Sequence, residues 1–185
     1  MTAGASGRRV CVYCASSSYD PELLEIADAV GTAIARRGWT LVSGGGNVSM
    51  MGALAEAARA GGARTVGVIP EGLRVREVAD TAADELVVVT TMRERKREME
   101  ERSDAFLTLP GGIGTLEVMF EAWTAASLGF HHKPVVLYDP IGFYTPLLEW
   151  VEGLAEAGLV KRNAMASLVV CHDLEDALDA CGGRL

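Results

Sequence analysis

Positive charge is in short supply in this sequence. Its 185 residues carry 17 lysines and arginines against 25 aspartates and glutamates, a formal net charge of −8. A field of that sign repels nucleic-acid phosphates and anionic headgroups, so neither nucleic acid nor a membrane surface is an expected partner. Histidine is scarcer, with three residues in all, two of them adjacent at His131 and His132. The four cysteines show no ligand spacing apart from Cys11-Val12-Tyr13-Cys14. That string has a strand pattern, and strand residues three apart point to opposite faces, so the thiols cannot share a metal or close a disulfide without a turn. The cysteines read as small core residues, and no metal is expected. No apolar run approaches the roughly 20 residues that cross a bilayer, and residues 1–9 lack the apolar core of a secretory signal. The cytosol is the expected compartment. Repeats, linkers and low-complexity tracts are missing too, so a loose tail over 1–8 and one domain over 9–185 are expected.

The familiar nucleotide signatures are also missing. No G-x-x-x-x-G-K-[ST] string occurs, which excludes a P-loop. The dinucleotide pattern G-x-G-x-x-G fails in Gly44-Gly45-Gly46-Asn47-Val48-Ser49 at its third glycine. In Gly112-Ile113-Gly114-Thr115-Leu116-Glu117 a carboxylate takes that place. No nucleophile elbow appears, and no cofactor is expected.

What is present is an alternation. Apolar runs that read as strands cover Arg9–Ala15, Trp39–Ser43, Thr65–Ile69, Glu85–Val89, Ala105–Leu109, Pro134–Tyr138 and Ser167–Cys171. Segments of helical periodicity separate most of them: from Asp20-Pro21-Glu22 to Gly38, Val48 to Ala60, the glycine loop to Ser127, and Tyr144–Ala157. Asp173 opens a last helix, and residues 71–83 read as irregular. Near-continuous apolar strands alternating with helices predict an α/β fold: a Rossmann-like, doubly wound parallel sheet of about seven strands with helices on both faces. In such sheets ligands bind at the carboxyl ends of the strands. Ser16–Ser18, Gly44–Gly46, the segment opening at Met92 and Gly111–Gly114 all fall at that edge.

The chain is organised around Leu107-Thr108-Leu109-Pro110-Gly111-Gly112-Ile113-Gly114-Thr115-Leu116-Glu117. A strand breaks at a proline and three glycines, then resumes as a helix. Glycines leave backbone N–H groups uncovered, and a helix N-terminus adds unpaired donors and a positive dipole end, so a phosphate suits the loop. Glu117 falls in the first helical turn. A simpler reading is a helix capped by Thr115, with Glu117 favoured by the dipole alone.

Met92-Arg93-Glu94-Arg95-Lys96-Arg97-Glu98-Met99 places Met92, Arg95, Lys96 and Met99 at i, i+3, i+4 and i+7. One helix face would carry two methionines and two cations. Interleaved glutamates also allow a salt-bridged surface helix. Cations on the methionine face favour a ligand-facing role, with Arg95 and Glu117 in a solvated crevice.

Three strings, Ser-Gly-Gly-Gly-x-x-x-x-Met-Gly at 43–52, Met-x-x-Arg-Lys-x-x-Met at 92–99 and Pro-Gly-Gly-x-Gly-Thr at 110–115, resemble the LOG family. Its members are cytokinin riboside 5′-monophosphate phosphoribohydrolases, long labelled possible lysine decarboxylases. No lysine here sits in a context suggesting a pyridoxal Schiff base. The resemblance implies a homodimer that hydrolyses the N-glycosidic bond of an N6-modified adenosine monophosphate to free base and ribose 5-phosphate, without a cofactor. It implies catalytic roles for Arg95 and Glu117. It implies substrate contacts from Ser17, Gly45, Glu77, Met92, Arg95, Lys96, Gly111, Gly112, Ile113, Gly114, Thr115 and Thr124. The family usually carries a second carboxylate where this chain has Val118, a glycine where it has Ser49, and aromatics at Ser43 and Ala125. Glu121 lies one turn beyond position 118. An alternative is a carrier of the same fold with little turnover, as in molybdenum cofactor carriers.

Overall fold

A computed structural model describes residues 7–74 and 78–183. In chain order the elements are β1 (Arg9–Tyr13), α1 (Pro21–Arg36), β2 (Thr40–Ser43), α2 (Ser49–Ala60), β3 (Thr65–Pro70), β4 (Glu85–Val89), α3 (Met92–Glu101), β5 (Ala105–Thr108), α4 (Ile113–Ser127), β6 (Val135–Tyr138), α5 (Thr145–Glu156), α6 (Arg162–Met165), β7 (Val169–Cys171) and α7 (Leu174–Cys181). A short 3₁₀ turn over Glu71–Leu73 follows β3. Helix starts follow local chemistry. Asp20 accepts the Glu22 N–H ahead of Pro21, Thr91 and Glu94 form a reciprocal capping box at α3, and Asp173 caps α7.

The seven strands form one sheet in the order β4-β3-β2-β1-β5-β6-β7, and every pair is parallel. The chain winds outward from β1 to β4, then returns to the other side of β1 as β5. The direction therefore reverses between β1 and β5, and the crevice above their carboxyl ends is where such sheets bind ligands.

Two apolar layers sandwich the sheet. Val10, Val12, Ala105, Leu107 and Val136 face α1, α2 and α7, among Ile34, Leu54 and Leu178. Cys11, Tyr13, Phe106, Val135 and Leu137 face the opposite layer with Met99 of α3, Met119 and Trp123 of α4 and Val151 of α5. Strand alternation sends neighbours to opposite layers. Cys11 lies in the second, Cys14 packs against the first, and both are free thiols.

The expected doubly wound parallel sheet of seven strands is observed, with strand ends differing by a few residues. α6 is the element the sequence reading passed over. It receives the Trp123 side chain, whose Nε1 donates to the Ala164 carbonyl at 2.6 Å. Glu77 and the tail over 1–6 lie outside the described residues. Among the described residues no helix is long and apolar enough to cross a membrane.

Candidate active site

A cleft of about 290 Å³ opens above β1 and β5, near the lower end of the roughly 300–1,000 Å³ typical of small-molecule sites. Its floor is the end of β1 continuing through Ser16 and Ser17. One wall is the loop Gly112 to Thr115 with Glu117, and the opposite wall is α3.

The segment leading into the glycine loop is held to the end of β1 by one carbonyl and one amide. The Ala15 N–H donates to the Pro110 carbonyl at 3.2 Å and the Leu109 N–H to the Tyr13 carbonyl at 2.8 Å. α4 starts at Ile113 with Gly112 as N-cap, and no side chain caps it. Thr115 does not cap either. It is buried in the first turn against Gly111, where a Cβ would lie 2.2 Å from the Thr115 Oγ1. Gly111 therefore has to be glycine for Thr115 to pack there. The first-turn N–H groups of α4, without a side-chain acceptor, face the cleft at the positive end of a 15-residue helix.

α3 presents Met92, Arg95, Lys96 and Met99 to the same cleft, as the i, i+3, i+4, i+7 spacing requires. The two cations differ in situation. Lys96 reaches across to α4, its Nζ lying 2.5 Å from Glu117 Oε1 and 2.7 Å from Glu121 Oε2. The hydrogen bond that Lys96 donates to Glu117, then the one it donates to Glu121, raise its pKa above the ordinary value. An ammonium held this way stays charged through neutral pH and is a poor proton donor.

Arg95 corrects the expectation of a solvated crevice. Its side chain turns inward and the residue is only 9% exposed. Nε donates to the Val68 carbonyl at 3.0 Å and Nη2 to the Gly44 carbonyl at 2.6 Å. A Cβ on Gly44 would sit 2.2 Å from that Nη2, so the glycine admits the guanidinium. Arg95 thus lines the cleft and also ties the residue just past β2 and the middle of β3 to α3.

Of the other residues implied by the resemblance, Ser17, Met92, Lys96, Gly112, Ile113, Gly114, Thr115 and Glu117 come together around the cleft. Gly111 lies just beneath it. Two do not join them. Gly45 is a backbone piece, with φ +73° and its carbonyl accepting the Asp80 N–H at 2.8 Å. Thr124 is exposed away from the cleft. It lies nine residues beyond Thr115, and at about 100° per residue the two project from opposite sides of α4. Met51 and Leu73 complete an apolar wall. Met51 was already present in the 43–52 string, whereas nothing local marks Leu73.

Ser49 stands where a glycine is usual in the resembled pattern, and its φ is +53°, a region that favours glycine. Its hydroxyl donates to the Ser18 carbonyl, tying the loop after β2 to the loop after β1.

A family model described as "Possible lysine decarboxylase" matches residues 51–181. A Mycobacterium marinum protein named cytokinin riboside 5′-monophosphate phosphoribohydrolase is 57% identical over 172 residues, covering 93% of this chain and 92% of its own. This chain belongs to that family, the LOG family. A Mycobacterium tuberculosis protein of the same name is 58% identical over the same shares. The molybdenum cofactor binding protein of Rippkaea orientalis superposes with a TM-score of 0.73 over 97% of this chain and 98% of its own. At 21% identity that likeness concerns the fold alone. Within the LOG-family cleft, Val118 is the half-buried residue that lines the wall and packs on the α3–α5 layer. The carboxylates nearest to it along α4 are Glu117 and Glu121, both held by Lys96.

Proposed function

We propose that the chain hydrolyses the N-glycosidic bond of adenosine 5′-monophosphate and its N6-modified forms, releasing free base and ribose 5-phosphate. The observation that carries this reading is the cleft at the β1/β5 reversal. It joins an uncapped helix N-terminus to the Glu117 carboxylate, which lies in the second turn of α4 and not in the first as the sequence suggested, in a chain so similar to proteins named for that reaction. The phosphate takes the N–H groups of Gly112 to Thr115, where backbone dipoles outweigh the diffuse negative field of the molecule. The base lies along the apolar wall of Met51, Leu73 and Met92.

In the reaction the bond from C1′ to the purine nitrogen breaks with its electron pair leaving on the base. A water oxygen bonds to C1′ and loses a proton, and the departing base nitrogen gains one, so that one water is consumed and neutral free base and ribose 5-phosphate result. Positive charge builds on the ribose in the transition state, and the Glu117 carboxylate stabilises it or takes the proton from water. Lys96 fixes where that carboxylate sits. The reaction needs no redox change and no electron sink, and this reading assigns no cofactor. The molecule acts as a homodimer in the cytosol, with the cleft close to the interface.

Val118 supports a second reading, nucleotide binding with little turnover, because it leaves an apolar side chain where the family usually carries a carboxylate. Incubation with AMP and with N6-isopentenyl-AMP, followed by chromatography, separates the two. Stoichiometric free base and ribose 5-phosphate are expected. Tight binding without release of base would overturn hydrolysis in favour of carriage.

A further inference from the structure

The glycine loop has a second anchor on the side away from β1. Tyr144, the residue before α5, is 2% exposed, and its hydroxyl donates to the Leu109 carbonyl at 2.9 Å. That hydroxyl therefore grips the residue just before Pro110, and the Pro110 carbonyl is held by the Ala15 N–H.

Tyr144 is itself fixed. Asp139, fully buried at the end of β6, accepts the N–H groups of Phe143 at 2.7 Å and Tyr144 at 2.9 Å. The Phe143 ring meets the Tyr144 ring edge-on, with centroids 4.8 Å apart. A wholly buried carboxylate and a nearly buried phenol are costly to desolvate, and a core that needed only volume would be served as well by phenylalanine. The hydroxyl's partner is a backbone carbonyl of the one segment that leads into the amide cradle.

We infer that Tyr144, set by Asp139, is a positioning residue that holds Leu109–Gly111 so that the following amides converge on the substrate phosphate. This rests on the phosphate placement proposed above. Without that tether the loop keeps its anchor on β1 alone and the amides lose their common aim.

The test is calorimetric titration of wild type and Tyr144→Phe with ribose 5-phosphate and, separately, with adenine. These are the two halves of the substrate, and neither is consumed. The variant keeps the ring and its packing. Ribose 5-phosphate binding is expected to weaken about tenfold, and adenine binding to stay within about twofold. Equal weakening of both ligands, or no change in either, would overturn the positioning role. A wild type that binds adenine but not ribose 5-phosphate removes the phosphate placement, and this inference with it.

Discussion

Glu117 and Val118 are neighbours on one turn and differ in everything that matters to the chemistry. The Glu117 side chain is 51% exposed beside Lys96, whereas Val118 packs into the layer below. If the developing cation is met by the Glu117 carboxylate, Glu117→Gln lowers turnover by about two orders of magnitude, the scale for one preorganised electrostatic group. Stability should move by less than about 1 kcal/mol, because exposed ion pairs contribute little and Lys96 keeps Glu121. Turnover by chromatography and urea unfolding check the two halves. Val118→Glu sharpens the test. With Glu117 in charge, a new carboxylate beside it changes little or slows the reaction by like-charge crowding. A gain of activity would move the catalytic role to position 118 and make the wild type a weakened enzyme.

At the scale of elements, Arg95 and Asp84 show what binds the edge of the sheet. Arg95 spans from α3 to the Gly44 carbonyl just past β2 and the Val68 carbonyl within β3, and each charge-assisted bond of this kind contributes about 1.5–3 kcal/mol. Arg95→Ala is therefore expected to cost about 3 kcal/mol or more in urea unfolding. A loss of turnover in that variant reports on the scaffold before it reports on chemistry. An effect under about 1 kcal/mol would deny Arg95 its tying role. Asp84 joins the turn before β4 to the start of β3. It accepts the Thr65 N–H at 2.7 Å and the Thr65 hydroxyl at 3.1 Å. The backbone hydrogen bond from Thr65, the largest cause, holds the Asp84 carboxyl below its ordinary value of 3.8. A depressed folded-state pKa adds stability above the unfolded value and loses it as pH falls through the folded one. Unfolding followed from pH 5 downward should show stability falling below about pH 4. The fall should be shallower in Asp84→Asn, and an unchanged slope would remove Asp84 from the acid response.

The same elements show how far the sequence could be read. Seven apolar runs with helices between them announce a parallel sheet, because a strand buried on both faces has no polar alternation to hide it. The glycine loop and the methionine face were legible because their periods are local. Burial of Arg95 was not, since its partners are carbonyls on strands far away in the sequence. The four residues of α6 span barely one turn, too few for a period to show. Thr124 entered the site through a pattern match, and the helical rotation between it and Thr115 takes it to the other side of α4. Tyr144 carries no mark at all in the sequence, because a tyrosine ahead of an amphipathic helix reads as core until the loop it grips is in place.

At the scale of the whole molecule, the question is how much apolar surface the chain leaves uncovered. Met119, Phe120 and Trp123 place three large apolar side chains on α4, a first candidate for a surface that a partner would cover. The fold absorbs them: Met119 is 1% and Trp123 6% exposed, and Phe120 packs against the same layer. The case for a homodimer passes to other residues. Ile113 at the cleft is 88% exposed, and Leu128 and Phe130, just past the end of α4, are 67% and 79% exposed. Single apolar residues at a surface are ordinary, but large ones at both ends of one helix suit a partner lying along it. A second copy along α4 would also cover the mouth of the cleft, excluding water from a reaction whose charge separation gains from a dry site. Sedimentation at micromolar concentration is therefore expected to give twice the chain mass of 19.6 kDa. Leu128→Glu combined with Phe130→Glu, both clear of the cleft, should shift the protein toward monomer. A wild type that sediments as a monomer would overturn the dimer. A double variant that stays dimeric while turnover persists would place the contact elsewhere than the end of α4.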